Sequence, residues 1–176
     1  MLDSVTRGLA AAAVLGVFST LCAAERPLPT LAVLDFELID DTQDNNSETL
    51  AAQQKRLTLI SEQLRKEFTD AGLYCVLDNA PAADYIAELK ARQELHACNG
   101  CELDIGKRLG ADLVLTAWVQ KVSNLILNIN IEIKRVASGQ TILNKSVDIR
   151  GNTDQSWSRG ISYMVRDMVE KKQGGR

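Results

Sequence analysis

Between residues 124 and 136 apolar and polar side chains alternate. Leu125, Leu127, Ile129, Ile131 and Ile133 fall on one face, and Asn128, Asn130, Glu132 and Lys134 on the other. A period of two marks a strand with one buried and one wetted face. The turn residues Ala137, Ser138, Gly139 and Gln140 follow. Beyond them Leu143, Val147 and Ile149 point one way, and Asn144, Ser146 and Asp148 the other. The two runs read as an antiparallel hairpin with a solvated outer face. Upstream, Leu113, Val114, Leu115 and Ala117 form a more continuous apolar run, as suits a strand covered on both sides, and it ends in a polar turn region at Gln120 and Lys121. The rest of the chain reads as helices that cover this sheet, and no catalytic motif is legible along it.

The chain has 176 residues, enough for one domain with a real core. Its net charge of -3 and pI near 5.2 leave no basic field to draw it to nucleic acid or an anionic bilayer. At the amino terminus Arg7 precedes an apolar run over residues 9–18, and Cys22, Ala23 and Ala24 follow with the small residues a signal peptidase needs. Residues 1–24 are expected to be a cleaved export signal, because the run falls short of the roughly 20 residues that span a bilayer. Lipid attachment at Cys22 is the rival reading, and the bulky Leu21 before it speaks against that. The expected organisation is a signal over residues 1–24, a single domain over 25–172 and a disordered tail over 173–176.

Pro27 and Pro29 make residues 25–30 an extended leader, followed by a first strand over residues 31–38. Asp40, Asp41 and Asp44 lie in the next loop. They lack the glycine and closing glutamate of a calcium-binding loop and read as solvated. Asn45 and Glu48 suggest a capping pair for a long helix with Leu50, Leu57, Ile60, Leu64 and Phe68 on one face, ending at Ala71 and Gly72. A short strand over residues 73–77 carries Cys75, read as buried. Asp78 to Pro81 then open a helix over residues 81–95 that buries Ile86 and Leu89. Trp157, Ile161, Met164, Val165 and Met168 share one face of a final helix. Strands followed by helices imply parallel crossovers, and the hairpin adds antiparallel strands. The fold class is therefore α/β (α+β), a mixed sheet of about five strands with helices packed on it, in the order β-α-β-α-α-β-β-β-α.

His96, Cys98, Cys101 and Glu102 form the chemically loaded stretch, just before a short helix. Three readings compete. A thiol at a helix start gains thiolate character, which would make a redox CxxC. His96, Cys98, Cys101 and distant Cys75 would suit zinc or copper. A structural disulfide between Cys98 and Cys101 suits an exported protein best. Haem attachment fails because Glu102 stands where histidine is required. Gly106 and Lys107 do not complete a phosphate loop, and His96 is the only histidine, with no nucleophile elbow to serve. No catalytic residue or cofactor is nominated.

The segments NGCELDIGKRLGADLVLTAWVQKVSNLILNINIEI and SVDIRGNTDQSW resemble an uncharacterised family of secreted bacterial proteins that carry a domain of unknown function. More broadly, LAVLDFEL from Leu31, IGKRLGADLVLTAWVQKV from Ile105 and IKRVASGQTI from Ile133 resemble the CsgG-like and TolB amino-terminal envelope domains. The propeller of TolB and the membrane-spanning hairpins of CsgG-type pores have no counterpart in this sequence. The resemblance implies a periplasmic or secreted, non-enzymatic binding or assembly module. Its partner would be an envelope protein, with no nucleic acid bound and no stable membrane insertion after signal cleavage. Thiol-disulfide or metal handling through the CxxC is the alternative. Polar and aromatic groups without an evident core duty nominate Lys121, Asn124, Arg150, Asn152, Asp154 and Trp157 for partner contact. The bland reading is that Asn152 and Asp154 cap and turn while Trp157 packs inside. Contact is expected at an end or edge of the sheet, where the leader itself is the kind of segment that adds. Charge reversal at Lys121 or Arg150 should then weaken capture without unfolding, and reversal at Glu132 should do little.

Overall fold

The computed structural model describes residues 27–42 and 46–174. The expected export signal, Cys22, the first leader residues, Asp44, Asn45 and the last two residues of the tail lie outside them. Six strands form one mixed sheet: β1 (Thr30–Val33), β2 (Glu37–Asp40), β3 (Cys75–Val76), β4 (Leu113–Lys121), β5 (Ile126–Arg135) and β6 (Thr141–Arg150). Four helices cover it: α1 (Ser47–Asp70), α2 (Ala83–Lys90), α3 (Cys101–Leu109) and α4 (Asp154–Gly174). The strand order is β3-β1-β4-β5-β6, with β2 also on β4.

Strand β4 is the spine. Its first half pairs in parallel with β1 (Leu31 opposite Leu113), its second half with β2 (Glu37 opposite Trp118), and its other edge runs antiparallel along β5. The single strand expected over residues 31–38 is therefore two strands laid end to end. The interruption is stitched from outside. Arg65 Nη2 and Asn79 Nδ2 both donate to the Val33 carbonyl, at 2.8 and 2.7 Å, while the Phe36 amide donates to Ser61 Oγ at 2.9 Å.

One face of the sheet carries the main core. Leu57, Ile60, Leu64 and Phe68 of α1, with Trp157, Ile161, Met164 and Val165 of α4, pack on Leu115, Val119, Ile129 and Ile131. Helix α4 lies close on the hairpin: a Cβ on Gly160 would stand 2.6 Å from Ile129 Cδ1 and 2.7 Å from Ile149 Cγ2. A smaller cluster on the opposite face joins Ala32, Leu34, Leu95, Ile105, Val114 and Val136. It covers β1 and β4 only. The polar face of β5 and β6 stays open, as the alternation requires, with Asn144, Ser146 and Asp148 exposed.

Several local expectations are corrected. Leu50 is 45% exposed because α1 overruns the core at its first turn. The α1 cap is Asn46, whose side chain accepts from the Glu48 and Thr49 amides. The helix expected over residues 81–95 ends at Lys90; Ile86 and Leu89 are half-buried against the smaller cluster. The amides of Leu95 and His96, which a continuing helix would bond internally, donate instead to Glu37 at 2.7 and 2.8 Å. Cys75 is exposed, since β3 is a two-residue edge strand. Leu125 precedes β5 and is 71% exposed. Residues 173 and 174, expected in a disordered tail, continue α4. Among the described residues, no helix is long and apolar enough to cross a membrane.

Candidate functional site

The nominated partner residues converge, with one exception, at one corner of the sheet. The β4–β5 turn and the β6–α4 link lie side by side, joined by the Gly151 amide donating to the Leu125 carbonyl at 3.1 Å. Gly151 has φ +84°, a conformation that glycine adopts without strain. Asn152 is the hub. Its Oδ1 accepts from Trp157 Nε1 at 3.0 Å and from Arg56 Nη1 at 3.3 Å, and its Nδ2 reaches Asn124 Oδ1 at 3.5 Å. Arg56 also binds Asp154 at 2.7 Å, and this guanidinium holds the Asp154 carboxyl below the usual carboxylate range. Thr153 and Ser156 bond each other reciprocally at the helix start. Trp157 is fully buried, so it anchors α4 and offers a partner no surface. Asn124 and Arg150 are exposed.

Lys121 is the exception. It is fully buried, and its Nζ donates to Asp40 at 2.9 Å. The polar residue at the end of β4 is held by the polar end of β2, not presented to solvent. Charge reversal there would strike the core, which corrects the expectation that it would leave the fold intact. Glu132 is also engaged: Thr141 Oγ1 donates to it at 2.8 Å and Lys134 lies 3.2 Å away.

The same corner exposes apolar side chains. Val122, Leu125 and Ile126 are 50%, 71% and 45% exposed around the β4–β5 turn. The alternation itself concealed them, since Leu125 reads as one more core position. The signal that would have found them is the Ser123-Asn124 pair, a turn that takes both neighbours out of the ladder.

The cysteine stretch forms a second constellation. Cys98 and Cys101 are disulfide-bonded with Cα atoms 5.9 Å apart, and both are nearly buried. Glu102, 2% exposed, lies beneath them. Its Oε2 accepts from the Gly100 amide at 3.1 Å and stands 3.3 Å from Cys98 Sγ, while its Oε1 accepts from Lys134 at 2.9 Å. Burial depresses the Lys134 ammonium, but the bonds to Glu102 and Glu132 outweigh it and its pKa lies above the ordinary lysine value. His96 belongs to a neighbouring group: its Nδ1 is 2.6 Å from Glu37, and its ring stacks on Trp118 at 5.5 Å. Among the described residues, the grouping of metal-ligating atoms is Cys98, Cys101 and Glu102; His96 and Cys75 are not in it. Neither Glu102, seen only as part of the stretch, nor Glu37 was nominated, because each is an ordinary acidic residue until the fold buries it.

Residues 29–169 match the family model DUF3280, described as protein of unknown function (DUF2380). The chain belongs to this family. Among curated proteins none matches the chain significantly. Of solved structures, this DUF3280 chain is similar to the LpoB C-terminal domain from Salmonella enterica, at 15% identity and a TM-score of 0.51 over 73% of this chain and 87% of that one. The LpoB C-terminal domain from Escherichia coli aligns with 15% identity and a TM-score of 0.50, over 69% of this chain and 82% of that one. At such identity the likeness is one of fold. TolB from Acinetobacter baumannii aligns more loosely, with a TM-score of 0.41 and 10% identity over 80% of this chain and 28% of that one. That match adds nothing to the fold assignment.

Proposed function

We propose that the chain is an exported, non-enzymatic binding or assembly module of the bacterial envelope. Residues 1–24 would be its removed signal, the periplasm its compartment, and the CsgG-like and TolB amino-terminal domains its wider kin. The observation that carries the reading is the corner where Val122, Leu125 and Ile126 stand exposed beside the preordered Asn124, Asn152, Arg56 and Asp154 network. Exposed apolar groups rimmed by ordered polar ones are what a protein contact requires, and a rigid corner has little ordering entropy left to lose. The test is capture of a partner from envelope extract by the mature chain and by a V122E/L125E variant. Capture by the wild type and its loss in the folded variant is the expected result. Equal capture by both would reassign the surface, and no capture by either would remove the reading.

A second reading, thiol-disulfide or metal handling, rests on the 4.8 Å grouping of Cys98, Cys101 and Glu102. Rapid exchange with glutathione, or stoichiometric zinc uptake by the reduced chain, would favour it.

A further inference from the structure

The sheet ends on one side in the short strands β3 and β2 and on the other in the ten-residue strand β6, which has no neighbour beyond it among the described residues. The two halves of β6 differ. In the first half Lys145 points inward and pairs with Asp167 on α4, a register shift lies beside it on β5, and Lys171 stands close behind. Inward charges and bulges are the devices that keep an edge from accepting another strand. The second half has none of them: Val147 and Ile149 are buried in the core, and no proline or bulge interrupts residues 146–150.

The ladder fixes which backbone groups this half presents. The Gly151 amide bonds toward Leu125, so odd-numbered residues of β6 face β5, and by alternation the amides and carbonyls of Ser146, Asp148 and Arg150 face outward. Beside this edge α4 overhangs a groove of about 630 Å³, bordered by Ser156, Arg159, Gly160 and Tyr163. Arg150 on one side of the edge and Arg159 on the other are exposed, with no ion-pair partner among the described residues. Asp148, the acidic side chain in the groove, is already bonded by Asn128. The edge is thus an unpaired backbone flanked by two uncompensated cations on a chain whose net charge is -3.

We propose that the second half of β6 binds an extended acidic segment of a partner protein as a seventh strand, with Arg150 and Arg159 pairing its carboxylates. The proposal rests on the binding-module reading and names the chemistry of the partner. Main-chain bonds to Ser146, Asp148 and Arg150 give the attachment, and charge gives the choice. A second copy of this chain is disfavoured, because edge-to-edge pairing would bring the same unpaired arginines together. The described end of the chain's own leader is committed elsewhere, for the Cys75 amide donates to the Pro29 carbonyl at the opposite edge. Arg150 lies across from Ile126 in the ladder, so a segment on β6 runs directly onto the apolar corner.

The test uses the mature chain and a capped synthetic peptide of repeating Val-Val-Glu-Glu, whose carboxylates reach both sides of the edge, with the corresponding valine and lysine peptide as control. Amide shifts and hydrogen exchange are read by nuclear magnetic resonance. The acidic peptide should slow exchange at Ser146, Asp148 and Arg150, and Arg159→Glu should weaken it about tenfold or more. Ser146→Pro, which removes an outward amide and no ladder bond, should abolish it while Trp157 fluorescence stays native. The proposal is overturned if the acidic peptide does not bind, if the lysine peptide binds equally well, or if the free chain dimerises with these amides already protected. Envelope capture separates the two levels. A partner held equally by wild type and Ser146→Pro sinks the edge proposal and spares the module reading, whereas a chain that captures nothing in either form loses both.

Discussion

Lys121 ends β4 with its side chain fully buried and its Nζ 2.9 Å from Asp40. Replacing it by glutamate sets a second carboxylate against Asp40 inside the fold. We expect Lys121→Glu to lose about 3–5 kcal/mol, nearer the lower figure because Asp40 keeps some solvent, as read from urea denaturation. Four aspartates respond to acid in a common direction. Hydrogen bonds from Arg56 to Asp154, from Lys145 to Asp167 and from the Thr30 amide to Asp112 hold each carboxyl below its ordinary range. At Asp40 burial pushes the other way, and bonds from Thr42 and Lys121 outweigh it. A depressed folded-state value means that the unfolded chain binds protons first. The stability these groups supply is whole above the ordinary carboxylate value of about 3.9 and drains as pH falls below it. Denaturation midpoints should therefore drop below about pH 4, and Asp112→Asn should make the drop shallower. A slope unchanged in that variant would show that the Thr30 contact does not form.

Helix α3 begins without a capping side chain, since its N-cap Gly100 has φ +100° and no hydroxyl or carboxyl to offer. The disulfide and Glu102 close that end instead, and Lys134 ties Glu102 to β5. Replacing Cys98 and Cys101 together by serine should cost about 2 kcal/mol, the loop-closure value for so short a ring. Reductant should lower the wild type to the variant's denaturation midpoint and leave the variant unchanged. The hairpin elements were legible in the sequence because a period of two has one structural meaning. Leu127 to Ile133 alternate in the core as read. The break between β1 and β2 was not legible. Residues 31–38 read as one strand, and what divides them is Ser61, Arg65 and Asn79, which come from distant elements. Lys121 failed for the same reason, its partner Asp40 lying 81 positions away. Of the corner, Asn124 and Asn152 could be nominated as polar loop residues and Trp157 already shared the apolar face of the last helix, whereas the bonds that join Asn152 to Arg56 and Trp157 needed the fold.

At the scale of the molecule the sheet is covered unequally: helices lie on both faces of β1 and β4 but on one face of β5 and β6. The open half carries the amide-rich face, the long free edge and the apolar corner, so the proposed binding surface and the two-sided core are segregated along the strand order. The central position of β4 has a further consequence for biosynthesis. A ribosome delivers everything up to residue 110 before β4, and that part contains β1, β2 and β3 but not the strand on which β1 and β2 pair. Contacts across some 80 residues form slowly in any case, and here they must await synthesis of the later partner. The β4-β5-β6 meander, by contrast, closes on itself as soon as it emerges. Chains truncated at residue 110 should be digested throughout by dilute protease under conditions in which the full chain resists. A resistant 110-residue product would show that the amino-terminal half stands without its spine. If the expectation holds, the nascent amino-terminal half travels as an unfolded polymer until residue 121 has been made, the state that a translocation channel accepts.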